Sequence, residues 1–260
     1  MKIVIFTSDE IRHKFFANSL TKIVKESLVI SETKNNELIK NTESIPELIK
    51  NHFLERTKTE LRFFKNNEKF TSKTISVAYR EASSTFVENL VLKFNPDAIF
   101  VFGSSILKNN IIELVPSGRF FNLHLGLSPY YRGSATNFWP FVNNELEYVG
   151  ATIHYLDSGI DTGDIICHVR PTFNINDNVH TIGCKVIQEG IFILKKIIEK
   201  LKNNESISRF PQWKIPNEKV YRIKDFNESI LTVYKKNMEK RIIENYIKSP
   251  KVPPKLIYFN

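Results

Sequence analysis

The length and composition of the chain indicate a globular protein. Its 260 residues are 42% hydrophobic and include 20 phenylalanines, which is more apolar mass than a disordered chain carries. The 9 Gly, 11 Pro and 2 Cys exclude collagen-like, coiled-coil and disulfide-scaffold classes, and the formal charge of +9 is compatible with an anionic partner or with a solvated basic surface.

The N-terminal part begins with a short apolar run at 2–7 that predicts a buried strand. Asp9 is placed to cap the following helix, in which apolar residues recur at helical spacing as far as Ile23. The next predicted elements are a strand at 28–31, a polar loop at 35–42 and a long helix at 45–65.

From residue 83 onward, short apolar runs alternate with helical patterns. The predicted elements are a helix at 84–93, a strand at 98–102, a short helix or turn at 106–114, strands at 120–123, 148–156 and 165–169, a long helix at 179–201, a weaker strand at 219–223, a helix at 227–240 and an extended end. This alternation predicts an α/β fold, a doubly wound and mostly parallel sheet covered on both faces. We expect one main domain at 1–205 and a C-terminal extension at 206–260.

The excess positive charge is concentrated near the C-terminus. Residues 201–260 contain 13 Lys and Arg against 6 Asp and Glu, so they carry +7 of the net charge. Such a segment can bind RNA, an anionic membrane or a phosphorylated ligand, or it can form a solvated surface.

Two cysteines and the N-terminus bear on metal binding and localisation. Cys167 and Cys184 lie 17 residues apart without further ligand motifs, so we expect buried thiols and no metal site. The apolar start is too short for a signal peptide and no apolar run is long enough to span a membrane, so a cytoplasmic location is expected.

Polar side chains follow the strand at 120–123, where a parallel sheet binds its ligands. Asn122 and His124 are two residues apart on a strand and therefore share one face. An amide can donate to an oxyanion and an imidazole can transfer a proton near neutral pH, although a histidine at a strand end is more often structural.

A second polar stretch at 150–164 carries His154 and three acidic residues, Asp157, Asp161 and Asp164. A carboxylate from this loop could orient His124 and stabilise its protonated form. The alternative is that each aspartate caps its own turn.

Together the two stretches resemble the folate-dependent formyltransferase family. The matching motifs are NLH at 122–124, SPYYRG at 128–133 and GATIHYLDSGIDTGDI at 150–165. The resemblance is strong over 97–169 and general over 1–95. It implies a Rossmann-type formyltransferase fold with the catalytic domain at 1–205.

The resemblance implies a catalytic triad of Asn122, His124 and Asp161 and a formyl donor, N10-formyltetrahydrofolate. An acceptor amine is expected to attack the formyl carbon while Asn122 donates to the oxyanion and Asp161 supports His124. His154 is expected to have at most a supporting role. The residues expected on the side of the folate are Ser104, Ile106, Leu107, Phe120, Asp157 and Ile160.

Three acceptors can be compared. A glycinamide ribonucleotide enzyme needs a glycine-rich phosphate loop after the first strand, where this chain has an acidic segment at 7–10. A methionyl-tRNA enzyme carries a larger C-terminal domain, although the basic extension could contact tRNA phosphates. The length fits the nucleotide-sugar N-formyltransferases best.

We therefore expect a nucleotide-linked amino sugar as the acceptor, with Tyr130 and Arg132 as its contacts. Arg132 could meet a phosphate of the acceptor, or it could simply hold the loop of its motif. The nearby aromatic residues Phe138 and Trp139 could line the same pocket or belong to the core. A homodimer is compatible with the apolar end at 256–259, whereas no stable nucleic-acid or membrane partner is expected. The alternatives are a methionyl-tRNA formyltransferase-like enzyme and an inactive nucleic-acid-binding relative.

Overall fold

A computed structural model describes residues 1–33, 45–116, 118–216 and 218–260. Within these residues a seven-stranded sheet forms the centre of the molecule. Its strands are β1 Lys2–Ser8, β2 Glu26–Glu32, β3 Thr74–Val77, β4 Ala98–Val101, β5 Phe120–His124, β7 Ala151–Tyr155 and β8 Ile165–Val169. A separate pair is formed by β6 Tyr131–Gly133 and β9 Lys219–Tyr221.

The strand order is β3-β2-β1-β4-β5-β7-β8. The pairings from β3 to β5 are parallel, and β7 and β8 join the sheet antiparallel. Along β1, Ile3 and Ile5 face one hydrophobic core, and Val4 and Phe6 face the other. All four are fully buried, as expected for a sheet that is covered on both sides. The predicted doubly wound α/β class is therefore confirmed.

Helices cover the two faces of this sheet. They are α1 Ile11–Thr21, α2 Glu47–Phe63, α3 Thr85–Phe94, α4 Asn109–Ile112, α5 Trp139–Val142, α6 Val179–Lys202, α7 Glu228–Glu239 and α8 Ile242–Lys248. Helices α1, α2 and α6 pack together on the face of Ile3 and Ile5. Helix α3 covers the opposite face through Val87 and Val91.

The predicted elements agree with these bounds within a few residues, with several differences. The predicted cap of α1 is wrong, because Glu10 rather than Asp9 is the N-cap residue and its side chain makes no capping hydrogen bond. Helix α1 also ends at Thr21, before Ile23. Strands β3 and β6 and helices α5 and α8 were not expected from the pattern, and the predicted loop at 35–42 lies entirely outside the described residues.

The C-terminal extension packs against the main domain. Leu231 of α7 and Ile242 of α8 belong to the same hydrophobic core as Ile3. The tail is also held by its backbone, since the Ile257 N–H donates to His168 Nδ1 over 2.9 Å. The division at residue 205 stays a prediction, but the two parts share one core.

The two cysteines are buried free thiols, as expected. Burial raises the pKa of Cys167 to about 12, so the group is an inert thiol at neutral pH. Among the described residues, no helix has the length and apolar character needed to cross a membrane.

Helix α6 begins with a reciprocal cap that makes a measurable contribution to stability. The Asn178 side chain accepts hydrogen bonds from the backbone N–H groups of His180 and Thr181, and the Thr181 hydroxyl accepts one from the Asn178 N–H. Asn178→Ala is expected to lower the free energy of unfolding by about 1 kcal/mol, measured by urea denaturation. Asn178→Ser keeps a capping oxygen and should restore most of the loss. Equal midpoints for the alanine variant and the wild type would contradict this role.

Candidate active site

The site lies where β5 ends beside the antiparallel strand β7. Asn122 and His124 occupy one face of β5, and the sheet register places His154 of β7 opposite Asn122. Phe120 lies on that same face two residues earlier. The shared face predicted for Asn122 and His124 is therefore present, and His154 is brought beside them by strand pairing.

Asp161 completes the cluster from the loop after β7. Its Oδ2 atom lies 3.3 Å from His124 Nδ1 and accepts a 3.3 Å hydrogen bond from the Gly133 N–H. The backbone of Asp161 is left-handed, with φ of 53°, a conformation that aspartate tolerates better than most residues. Two residues on, a Cβ atom at Gly163 would lie only 1.8 Å from the Tyr155 carbonyl oxygen, so the tight return of this loop requires glycine there.

Gln212, a residue of the C-terminal extension, supports the loop that carries Asp161. Its amide nitrogen donates to the carbonyl oxygens of Asp161 over 2.7 Å and Gly163 over 2.8 Å, while its side-chain oxygen accepts from Arg132 over 2.6 Å. The sequence pattern contained no signal for this residue, since it acts about 50 residues away from the loop that it supports. The extension is therefore part of the structure that positions the site.

The imidazole of His124 faces an acceptor on each side. Nδ1 faces the Asp161 carboxylate, and Nε2 lies 3.1 Å from the Tyr131 backbone oxygen. A neutral imidazole has one N–H and cannot donate to both, whereas an imidazolium can. Burial lowers the pKa of His124 and outweighs the opposing attraction of Asp161. At neutral pH the ring is therefore neutral, and gaining a proton completes both contacts.

Asp161 remains ionised beside this ring. Burial alone would raise its pKa, but His124, His154, whose Nε2 lies 3.7 Å from Asp161 Oδ1, and the Gly133 N–H together hold the pKa of this carboxyl well below its usual range. A fixed negative charge next to a neutral imidazole favours proton uptake by that imidazole.

The amide of Asn122 is oriented by His154. His154 Nδ1 lies 2.9 Å from the Tyr155 carbonyl oxygen, which can only accept, so Nδ1 carries the proton. With the proton on Nδ1, Nε2 is the acceptor and receives one N–H of Asn122 over 3.0 Å. The Asn122 nitrogen is thereby fixed, with its second N–H available to a ligand. The supporting role expected for His154 agrees with this geometry.

The charge on Asp161 predicts a pH-dependent difference in stability. Asp161→Asn is expected to lower the free energy of unfolding at pH 7 by on the order of 1–3 kcal/mol, the cost of disturbing a buried charged hydrogen bond. Because the folded pKa is depressed, the stabilisation is present above the unfolded value of about 3.9 and declines as the pH falls towards the folded pKa. Urea denaturation of both proteins at pH 7 and pH 3 should therefore show a gap that narrows in acid. A gap that is constant or widens would contradict an ionised, stabilising Asp161.

The six residues expected on the folate side are two buried apolar residues, two exposed apolar residues and two polar residues. Phe120 and Leu107 are buried in one core, and Ile106 and Ile160 are more than half exposed on loops at the carboxyl edge of the sheet. Asp157 accepts from the Gly159 N–H and the Thr162 hydroxyl. The remaining residue, Ser104, donates its hydroxyl to the Ser105 carbonyl oxygen. Their contact with a folate stays a prediction.

The two residues expected to contact an acceptor bond within the protein. Arg132 is ion-paired with Glu218 and bonded to Gln212. The Tyr130 hydroxyl donates to the Lys255 carbonyl oxygen over 3.1 Å. Both side chains thus join the main domain to the C-terminal extension, and their role in substrate binding stays untested. Phe138 and Trp139 are buried, which agrees with the alternative that they belong to the core.

These features define an α/β protein whose sheet edge is suited to acyl transfer, because a fixed amide donor lies on the same strand face as a neutral imidazole that contacts an ionised carboxylate. The chain belongs to the formyl transferase family, whose model matches residues 1–198. The expected resemblance is therefore confirmed.

The known proteins similar to this chain include a methionyl-tRNA formyltransferase and formyltransferases described with sugars. Methionyl-tRNA formyltransferase of Desulforamulus reducens is 35% identical over 126 residues, which is 48% of this chain and 39% of that protein. The chain thus matches less than half of the length of this curated relative. A Helicobacter canadensis N-formyltransferase, solved with folinic acid and dTDP-3-aminofucose, is 23% identical, with a TM-score of 0.58 over 98% of this chain and 84% of that one. WlaRD, a sugar 3N-formyl transferase solved with dTDP and 5-N-formyl-THF, is 24% identical, with a TM-score of 0.57 over 97% and 82%.

Proposed function

We propose that the protein transfers a formyl group from N10-formyltetrahydrofolate to the amine of a nucleotide-linked amino sugar. The observation that carries the reaction is that Asn122 and His124 share one face at the carboxyl end of β5, with the Asp161 carboxylate 3.3 Å from His124 Nδ1. Membership of the formyl transferase family supports the same chemistry.

In the proposed reaction the acceptor amine forms a bond to the formyl carbon. Asn122 donates its free N–H to the oxyanion that develops. His124 takes a proton from the attacking amine and becomes an imidazolium, whose two N–H groups then match Asp161 and the Tyr131 carbonyl oxygen. The bond from the formyl carbon to N10 breaks, the proton passes from His124 to N10, and the products are the formamide and tetrahydrofolate, with His124 neutral again.

The loops beside this site have suitable chemistry for a folate. Exposed Ile106 and Ile160 offer apolar surface to a flat ring system on the loops that follow β4 and β7, and Phe120 shares the face of the proposed catalytic residues. The two residues between β1 and α1, Asp9 and Glu10, include no glycine, which disfavours a glycine-rich phosphate loop there.

The extent of the structural similarity supports an amino-sugar acceptor. An N-formyltransferase solved with dTDP-3-aminofucose and a sugar 3N-formyl transferase share the fold over 98% and 97% of this chain, including its C-terminal extension. The second candidate acceptor is methionyl-tRNA, favoured by the higher sequence identity of a relative that is matched over 48% of this chain.

The test is a formyl-transfer assay with N10-formyltetrahydrofolate, following the absorbance of the released folate. The acceptors are a panel of dTDP- and UDP-linked amino sugars beside methionyl-tRNA, with Asn122→Ala and His124→Ala as controls. Turnover with an amino sugar that both substitutions abolish is expected. Turnover with methionyl-tRNA alone would show that the acceptor is the tRNA and not an amino sugar. The absence of turnover with every acceptor would overturn the proposed activity.

A further inference from the structure

Glu32 is a buried carboxylate at the carboxyl end of β2. It is only 3% exposed, and none of the steps of the proposed formyl transfer involves it. The loops that follow β3 and β4 lie at the same edge of the sheet, because β2, β3 and β4 all run in one direction. A buried carboxylate is costly unless hydrogen-bond donors surround it, so the donors around Glu32 indicate what it does.

The donors to Glu32 come from two loops. The Ser105 N–H donates to Oε2 over 2.7 Å, and the Ser105 hydroxyl donates to Oε1 over 2.7 Å. The backbone N–H of Arg80 also donates to Oε1. Ser105 lies in the loop after β4 and Arg80 in the loop after β3. Because a carboxylate accepts at both of its oxygens, this one side chain ties both loops to the end of β2.

An exposed apolar residue lies beside this anchor. Ile106 is 71% exposed and lies between Ser105 and Leu107, which is buried in the hydrophobic core. The Lys108 N–H donates to the Ser83 hydroxyl over 2.9 Å, so the loop after β3 also supports the loop after β4. Both neighbours of Ile106 are thus fixed. An apolar side chain that is held in solvent in this way is a preorganised contact for a flat ring.

We propose that Glu32 is a positioning residue for the formyl donor, because it fixes the loop at 103–108 in the conformation that binds the folate. The inference rests on the part of the proposed function that concerns the donor and is independent of the acceptor. Without Glu32 the loop populates other conformations, and the apparent affinity falls with the fraction of molecules that are competent to bind. Once the folate is bound, the catalytic groups are unchanged, since the bonds of Glu32 do not include them.

Isothermal titration calorimetry of the full chain with folinic acid tests the proposal without turnover. Glu32→Gln keeps the shape, but its amide nitrogen then faces one of the two backbone N–H groups in place of an acceptor. We expect it to raise Kd by about 5- to 50-fold with unchanged stoichiometry. Ser105→Ala removes the hydroxyl bond alone and should raise Kd by about two- to fivefold. In the formyl-transfer assay, Glu32→Gln should raise KM for the donor by a similar factor and leave kcat within about twofold.

Glu26→Gln is the matched control, because it changes an exposed carboxylate at the opposite end of the same strand, about 20 Å away. It should bind folinic acid as the wild type does. A Glu32 that served only stability would lower the midpoint of urea denaturation and the binding stoichiometry but leave Kd unchanged.

The proposal is overturned if Glu32→Gln has the Kd of the wild type, if Glu26→Gln weakens binding as much, or if kcat falls while KM for the donor does not change. A wild-type chain that binds the folate but formylates no acceptor would contradict the proposed activity alone, and the comparison of Kd values would still decide the role of Glu32. A wild-type chain that binds no folate would overturn both.

Discussion

His124→Ala is expected to lower kcat for formyl transfer by about 10²–10⁴-fold, the usual contribution of a positioned acid or base. The ring is held between Asp161 and the Tyr131 carbonyl oxygen, and burial lowers its pKa so that it is neutral and ready to accept a proton. Without the imidazole, the proton of the attacking amine has no nearby acceptor matched to neutral pH. Steady-state kinetics with the acceptor found in the panel measure the loss.

Added imidazole separates the loss of the proton acceptor from a general disturbance of the site. The cavity left by His124→Ala can admit the free base, so imidazole in the buffer should restore part of kcat. Near-wild-type turnover of the variant would show that His124 does not take part in the reaction. A large loss without rescue, together with a lowered midpoint of urea denaturation, would assign it a structural role.

The predicted β-strands show which parts of the fold follow from local sequence. Strands β1 and β4 are apolar on both faces and buried over most of their length, because they lie in the middle of a sheet that is covered on both sides. Strand β3, by contrast, lies at the edge of the sheet and is only partly buried. Its four residues are held in the sheet by pairing with β2. Because this pairing does not require a particular amino-acid composition, the strand could not be predicted from its residues.

The parts of the site that could not be predicted depend on contacts between distant segments. Asn122, His124 and Asp161 were identified by spacing and resemblance, but the pairing of Asn122 with His154 depends on the antiparallel register of β5 and β7. Gln212 supports Asp161 through two backbone carbonyl groups, and no local pattern indicates such a bond.

Arg132 shows that the partners of a charged residue inside the protein cannot be predicted from its neighbours in sequence. Its position in the SPYYRG motif is compatible with a substrate phosphate as its partner or with a role in holding the loop. In the folded chain, Glu218 and Gln212 of the extension take up its guanidinium group. The ion pair is only partly exposed, so it acts as a link between the two parts of the chain.

The second large effect is expected at Asn122. Asn122→Ala should lower kcat by about 10²–10³-fold with a much smaller change in KM, since an oxyanion donor acts chiefly in the transition state. Asn122→Asp has nearly the same shape but places an acceptor where the N–H was, so it should be at least as slow. If Asn122 served only packing, the aspartate variant would be close to the wild type.

His154 provides the matched test of how that amide is held. Its Nε2 atom fixes one N–H of Asn122 and its Nδ1 atom is bonded to the Tyr155 carbonyl oxygen, so it positions the donor without itself facing an oxyanion. His154→Ala should therefore lower kcat less than Asn122→Ala, and combining the two should add little, because residues that act as a unit are not additive. Independent, additive losses would mean that His154 acts on the reaction by a route other than Asn122. The double-variant kinetics thus distinguish a positioned amide from two separate contributions at the end of β5.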